Sequence, residues 1–429
     1  TMGYEFESGV DHARERDAAA PLDYRERFHL PDGIYLDGNS LGPLSTDAEQ
    51  VLQHVVDEWR DLGIHGWTDG DPPWFYYGEH IGDRLASLVG AREDEVVVAN
   101  STTVNIHTLV GTFLDRCERE GRGRKVVVNE LDFPTDHYAI RSQLRVRGLD
   151  PDEHLVVVES RDGRTIREDD IATALDEHDD VGIVFMPSVF YRSGQLLDVE
   201  RVTELAHDHD AYAGFDLAHS IGVVPHSLAD QGVDFAVWCH YKYLNAGPGA
   251  VAGLYVHRDY HGEVPALAGW WGHEKETQFE MRTTYTPAQS AGAWQTGTIP
   301  IFSAAPLLGV LDVVDEAGIG AMRDRSLELT AYLTFLVDER LPDCTVGTPR
   351  EPERRGGHVA VEHPEAYRVS EALKERDVVV DFRPPNVVRV CPSPLYVGFE
   401  DVWDAVEHIR EVLDDREDER FERRVGGVT

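Results

Sequence analysis

Lysine is nearly missing from this chain. Lys125, Lys242, Lys275 and Lys374 are the only four among 429 residues. Cysteine is equally scarce. Cys117, Cys239, Cys344 and Cys391 lie far apart and form no CxxC pair, which argues against a disulfide framework or a zinc–cysteine centre. No run reaches the roughly 18 apolar residues that a membrane-spanning helix needs. The opening Thr1-Met2-Gly3-Tyr4 leads into an acidic stretch with no apolar core, so no secretory leader is expected and the cytoplasm is the expected compartment. Internal repeats and low-complexity linkers are missing too. Positive charge is short overall, with 40 basic residues against 79 acidic ones and a net charge of -39. A surface this acidic repels nucleic acid and anionic membranes. The acid excess runs along the whole chain, which fits a halophilic protein that stays soluble in concentrated salt; the alternative is an acidic mesophilic enzyme.

The length suggests two or three domains with a core that needs no staple. From about 95 to 257, apolar runs alternate with helical segments. The runs are 95–99, 125–128, 154–158, 182–186, 212–215, 233–238 and 250–256, and segments such as 168–178 and 199–209 lie between them. Continuous apolar strands separated by helices predict an α/β fold with a mainly parallel sheet covered on both faces. Active sites in such sheets sit at the carboxyl ends of the strands. Beyond about 305 the pattern changes. One long helical stretch is expected over 303–340, then strands at 357–361, 378–381 and 387–390. A final amphipathic helix carries Phe399, Val402, Trp403, Val406, Ile409 and Leu413 on one stripe. The residues from Arg416 onward are expected to fray. The resulting division is an N-terminal segment over 1–50, a large domain over 51–304 and a smaller α+β domain over 305–429.

In a chain that almost excludes lysine, a lysine invites a chemical explanation. Lys242 follows the apolar run ending at Trp238 and is flanked by Tyr241 and Tyr243, with Gly247-Pro248-Gly249 beyond. Desolvation there would lower its pKa and make it a nucleophilic amine; the plain alternative is a surface lysine at a strand end. Asp216 ends another apolar run, 26 positions earlier. A carboxylate in that place needs a cationic or hydrogen-bonding partner, and a pyridinium nitrogen would serve; otherwise it is a helix cap. An Asp and a Lys ending neighbouring strands are expected of a pyridoxal 5'-phosphate (PLP) enzyme. The hydroxyls of Ser101, Thr102 and Thr103, at a strand-to-helix junction, could cradle a phosphate, although such caps are common. Phe133-Pro134-Thr135-Asp136 could offer a ring for stacking and a polar group, or simply start a helix.

Several segments together resemble the kynureninase family. These are Tyr35-Leu36-Asp37-Gly38-Asn39-Ser40-Leu41-Gly42-Pro43, 133–140, Asp216-Leu217-Ala218-His219, 241–249 and Gly269-Trp270-Trp271-Gly272-His273-Glu274. The matching segments run in order from about residue 33 to 397. The resemblance implies the PLP-dependent transferase (aspartate aminotransferase-like, fold-type I) architecture and a homodimer with shared active sites. It implies hydrolysis of L-kynurenine to anthranilate and L-alanine in tryptophan catabolism. Residue by residue, it makes Lys242 the Schiff-base lysine and Asp216 the partner of the pyridine nitrogen. Thr102, Thr103 and Tyr241 then lie at the phosphate, Phe133 stacks on the ring, and Pro134, Thr135, Asp136 and His219 lie beside it. Trp270 and Thr298 reach the phosphate from the partner subunit. Arg389 binds the substrate α-carboxylate, with Asn39, Ser40 and His65 on the substrate side. No metal is implied. The sequence departs from the family pattern at Pro187, where relatives often carry a hydroxyl near the phosphate.

Lys242 would also be the base that takes the Cα proton, and Tyr241 is the candidate acid–base group at the ketone. The 3-hydroxy form of kynurenine would need a buried partner for its extra hydroxyl, and only His65 is a candidate, so L-kynurenine is expected to be preferred. Two rivals remain. A desulfurase-like or aminotransferase enzyme of the same fold is one, although a desulfurase needs a mobile nucleophilic cysteine and neither Cys239 nor Cys391 is suitably placed. A catalytically silent PLP-fold binding protein is the other, against which the joint presence of Lys242, Asp216 and Arg389 argues.

Overall fold

A computed structural model describes residues 4–19 and 24–423. Among them, seven strands form one sheet: β1 Val96–Val98, β2 Lys125–Asn129, β3 Leu155–Val158, β4 Val181–Pro187, β5 Tyr212–Asp216, β6 Phe235–Trp238 and β7 Gly253–Val256. Their spatial order is β1-β7-β6-β5-β4-β2-β3. Pairings from β6 through β3 are parallel, while β7 runs antiparallel to both β1 and β6. Six strands therefore share one direction and present their carboxyl ends on one edge. Each strand is apolar almost throughout because helices cover both faces, and separate hydrophobic clusters fill the two sides.

The strands start one or two residues later than the apolar runs imply where a turn intervenes. Glu95, for example, closes a 3-10 turn by accepting from the Arg92 N–H, so β1 begins at Val96. The helices expected at 168–178 and 199–209 are Glu168–Glu177 and Val199–Asp208. The long stretch over 303–340 is corrected to two helices, Ile301–Ala317 and Ile319–Arg340. Gly318 separates them at φ 77, a conformation that glycine adopts without strain.

A second sheet, in the order β8-β9-β11-β10, is antiparallel: β8 Thr345–Val346, β9 Val359–Glu362, β10 Asp381–Arg383 and β11 Val387–Val390. The single strand expected at 378–381 is divided. Val378–Val379 instead pairs in parallel with Ile34–Tyr35, so the N-terminal segment joins this part of the chain. The helix Phe399–Asp414 buries Phe399, Val402, Val406 and Ile409, while Trp403 and Leu413 lie at its margin. Fraying from Arg416 is not what is found. Glu417 receives two hydrogen bonds from Arg376, at 2.9 and 3.0 Å, and Glu417–Arg420 forms a 3-10 turn. Residues 424–429, and the opening Thr1–Gly3, lie outside the described residues. No described helix is long and apolar enough to cross a membrane.

Candidate active site

A cavity of ≈ 370 Å³ opens at the carboxyl edge of the large sheet. It is lined by segments that follow β1, β2, β4, β5 and β6, together with the hairpin β10–β11 and the N-terminal segment at Asn39 and Ser40. Such convergence is what a parallel sheet offers, since consecutive loops emerge side by side.

One half of the cavity gathers Lys242, Asp216, His219 and Phe133. Lys242 is half-buried, and desolvation lowers its pKa against the opposing pull of Cys239 and Asp216. Its Nζ lies 3.3 Å from His219 Nε2 and 5.9 Å from the Phe133 ring. His219 is held neutral by burial, by Lys242 and by Arg389. Asp216 uses Oδ1 to accept the Ala218 N–H at 2.7 Å, which closes a turn and not a helix. Burial raises its pKa to about 6 even though Lys242 opposes the rise. Asp136, behind it, is raised well above the usual carboxylate range by burial and by the carboxylates of Asp216 and Asp132. Phe133 is 45% exposed, a large ring left open on the cavity wall and braced edge-on by Tyr191. Pro134 does not line the cavity; it opens the helix Pro134–Val146 and so aims Thr135 and Asp136. Thr102 and Thr103 begin the 19-residue helix Thr102–Glu120, capped by Ser101, with Thr103 and Thr135 hydroxyls 2.7 Å apart. The helix N-terminus and these hydroxyls make an anion seat. Tyr241 lines the wall between them, its phenol pushed up by burial.

The other half is cationic. Arg389 is only 1% exposed and its Nε donates to Asp381 Oδ1 at 2.7 Å, its Nη2 to Asp381 Oδ2, and Nη2 also to Ser40 Oγ at 2.8 Å. Arg383 also pairs with Asp381 Oδ2, at 2.7 Å, and burial together with Arg389 lowers its pKa. Asn39 is fully buried, and neither atom of its amide has a partner, so it faces the cavity with donor and acceptor unused. The segment bearing Asn39 and Ser40 is clipped to the lysine loop at Gly42, whose N–H donates to the Tyr241 carbonyl at 2.7 Å. A Cβ at Gly42 would stand 2.1 Å from Asn245 Oδ1, so only glycine fits this contact.

Besides Pro134 and Asp136, three of the expected residues do not line this cavity. His65 is exposed in a turn at Gly63–His65, Trp270 is 41% exposed, and Thr298 is exposed in the loop before Ile301–Ala317. Ser188 does not replace the hydroxyl missing at Pro187: it is buried against Ser220, 2.7 Å away, on the inner side of the strand end. Sequence reasoning missed Asp381, Arg383, Tyr191 and Cys239. For Asp381 there was a signal. A tight hairpin centred on Pro385 sets Asp381 directly opposite Arg389, which is the register found.

Comparison with known proteins follows from this geometry. Residues 322–409 match the model of the kynureninase C-terminal domain. The chain is 48% identical over 420 residues to the kynureninase of Geobacillus thermodenitrificans, covering 97% of each. It is 48% identical over 423 residues to that of Bacillus thuringiensis subsp. konkukian, covering 98% of each. Among solved structures, a cysteine desulfurase from Thermococcus onnurineus superposes with a TM-score of 0.76 at 18% identity, covering 91% of this chain and 98% of that one. A C-DES mutant with glycine covalently linked to its PLP cofactor superposes with a TM-score of 0.77 at 16% identity, covering 90% and 99%. At such identities these two likenesses establish the fold, the α/β PLP-dependent fold-type I architecture.

Proposed function

Because the chain belongs to the kynureninase family, we propose how its own residues serve that family's reaction, the PLP-dependent hydrolysis of L-kynurenine to anthranilate and L-alanine. The residues suit the cofactor. A lone lysine of lowered pKa, a buried carboxylate pair, an open aromatic face and a helix N-terminus edged with hydroxyls lie at one cavity or directly behind its wall. Each matches one part of pyridoxal phosphate: the aldehyde, the ring nitrogen, the ring face and the phosphate. When bound, the cofactor supplies an electron-accepting ring joined to the substrate nitrogen.

On this reading Lys242 would hold the cofactor, give way to the substrate amine and take the Cα proton, and the lowering of its pKa by desolvation favours the neutral amine this needs. Asp216 keeps the ring nitrogen protonated. Asp136, itself protonated, spares the pocket a second negative charge and can donate to the ring's edge. Phe133 stacks on the ring, and Thr102, Thr103 and Tyr241 attend the phosphate. Arg389 fixes the α-carboxylate, which aligns the bond to be broken with the ring. A water attacks the aryl ketone and the Cβ–Cγ bond breaks, with Tyr241 moving the proton at the carbonyl. Trp270 and Thr298 complete the phosphate site of a neighbouring copy in a cytoplasmic homodimer. Their exposure away from the cavity of their own chain supports that reading, and His65 belongs with them. The large unit over 51–304 then carries the cofactor, and the smaller one over 305–429 brings Arg389.

The observation that carries the assignment is the shared cavity of Lys242, Asp216 and Arg389. Incubation of the holoenzyme with L-kynurenine should release fluorescent anthranilate and one alanine for each. Absence of both products with PLP bound refutes the reading.

A further inference from the structure

We propose that Arg383 supplies the net positive charge that draws in the substrate carboxylate, while Arg389 supplies the geometry. This rests on the kynurenine reading above. Asp381, Arg383 and Arg389 share one face of the β10–β11 hairpin, because Asp381 and Arg383 are two apart on a strand and Asp381 lies directly opposite Arg389. Both arginines and Ser40 line the cavity. Arg389 is committed to Asp381 through two of its nitrogens. That pair taken alone is neutral, and an incoming carboxylate would meet a dipole with an anion at its far side. Adding Arg383 changes the sum: two guanidinium groups and one carboxylate leave a single positive charge while Asp37, which faces all three, is protonated, and that charge is equal and opposite to one α-carboxylate. Arg383 is placed for this, with one Nη on Asp381 Oδ2 at 2.7 Å, the other on its neighbour's carbonyl, Phe382 O, at 3.1 Å, and its side chain 16% exposed toward the opening. A buried carboxylate without a net countercharge is costly, and charge complementarity at a desolvated site governs which partner is accepted.

The claim concerns charge, so lysine should serve where glutamine fails. The test uses the PLP-loaded protein and two probes that lack the α-amino group: 4-(2-aminophenyl)-4-oxobutanoate, which is kynurenine without its α-amino group, and the carboxamide of that acid. Arg383→Gln should raise the inhibition constant of the carboxylate at least tenfold and leave that of the carboxamide within about twofold, tenfold being about 1.4 kcal/mol. KM for L-kynurenine should rise in parallel, more than kcat falls. Arg383→Lys should retain most of the preference for the carboxylate. In the unaltered protein that preference should shrink as salt rises from about 0.1 to 1 M, a measurement that stands if a variant fails to fold. Equal weakening of both probes would make Arg383 a merely structural residue and overturn the proposal, as would no change in either, or loss of preference in the lysine variant. If the unaltered protein releases no anthranilate from kynurenine, the functional reading falls; if it does and Arg383→Gln is indifferent, only this inference falls.

Discussion

Removal of the Asp381 carboxylate tests the cationic half of the site. Asp381 accepts from Arg389 Nε at 2.7 Å, from Arg389 Nη2, from Ser40 Oγ at 2.8 Å and pairs with Arg383 at 2.7 Å. With Arg389 1% exposed, Asp381→Ala takes from two adjacent guanidinium groups the carboxylate they both hold and leaves them facing Asp37. Breaking a buried pair by deleting one partner costs about 3–5 kcal/mol. Unfolding entropy of about 2.1 cal/mol/K per residue gives roughly 0.9 kcal/mol/K for a chain of this length, so the melting temperature of the variant should fall by about 3–5 °C. Asp381→Asn, which keeps an acceptor but not the charge, should fall by less. The pH dependence has a definite sign. Hydrogen bonds from Arg389 hold the Asp381 pKa below its ordinary value although burial opposes this. Its contribution is therefore present above the unfolded-state carboxylate pKa, about 3.9, and is lost as pH falls through the lower folded value. The gap between parent and Asp381→Ala should narrow in acid, as pH falls below about 4. Differential scanning calorimetry at fixed salt and saturating PLP reads both. A fall under 1 °C at pH 7 would mean that the arginines are stabilised without Asp381 and that Asp381 is not their counterion.

Lys242→Ala should abolish turnover while leaving far-ultraviolet circular dichroism unchanged; turnover within tenfold of the parent would remove Lys242 from the chemistry. Asp216→Ala should keep some bound PLP but lose most activity, and unchanged activity would reduce Asp216 to the turn it closes at Ala218. Asp37 faces Asp381, Arg383 and Arg389 across the site, with Cys391, Tyr35 and Tyr396 around it, and burial together with Asp381 raises its pKa to about 7. Its ionisation above that pH adds a negative charge near the carboxylate seat, so binding of the desamino carboxylate should weaken as pH rises from 6 to 8, and Asp37→Asn should flatten the curve; a parallel curve in the variant excludes Asp37. With a net charge of -39, the melting temperature should rise between about 0.1 and 2 M salt as the Debye length falls from roughly 10 Å to under 3 Å. A flat response would leave an acidic enzyme with no halophilic character.

The strands and the lysine were legible because a buried parallel strand has to be apolar throughout, and because lysine is rare enough here for each to stand out. The arginine hairpin was half legible: Arg389 stood inside a motif, whereas Asp381 and Arg383 read as ordinary charges until the turn at Pro384-Pro385 set their register. The break at Gly318 was hidden because apolar residues continue on both sides of it, and only the backbone angle separates the helices. His65 shows the limit of a single sequence: it is exposed outside the cavity, and nothing in its segment fixes its place relative to Lys242.

The clip at Gly42 has a consequence for how the protein is made. Gly42 rests on Tyr241, Ser40 reaches Arg389 across 349 positions, and Leu36 donates to Val379. A nascent chain emerging at roughly 5–20 residues per second will therefore expose the Asn39–Ser40 segment for many seconds before residue 389 exists to receive it. The large sheet can assemble during that wait, since β1 to β7 are complete by residue 256. The substrate pocket cannot, and its closure is among the last events of folding because its contacts are so distant in sequence. Chains released early should accordingly be sheet-bearing but unable to recognise a carboxylate.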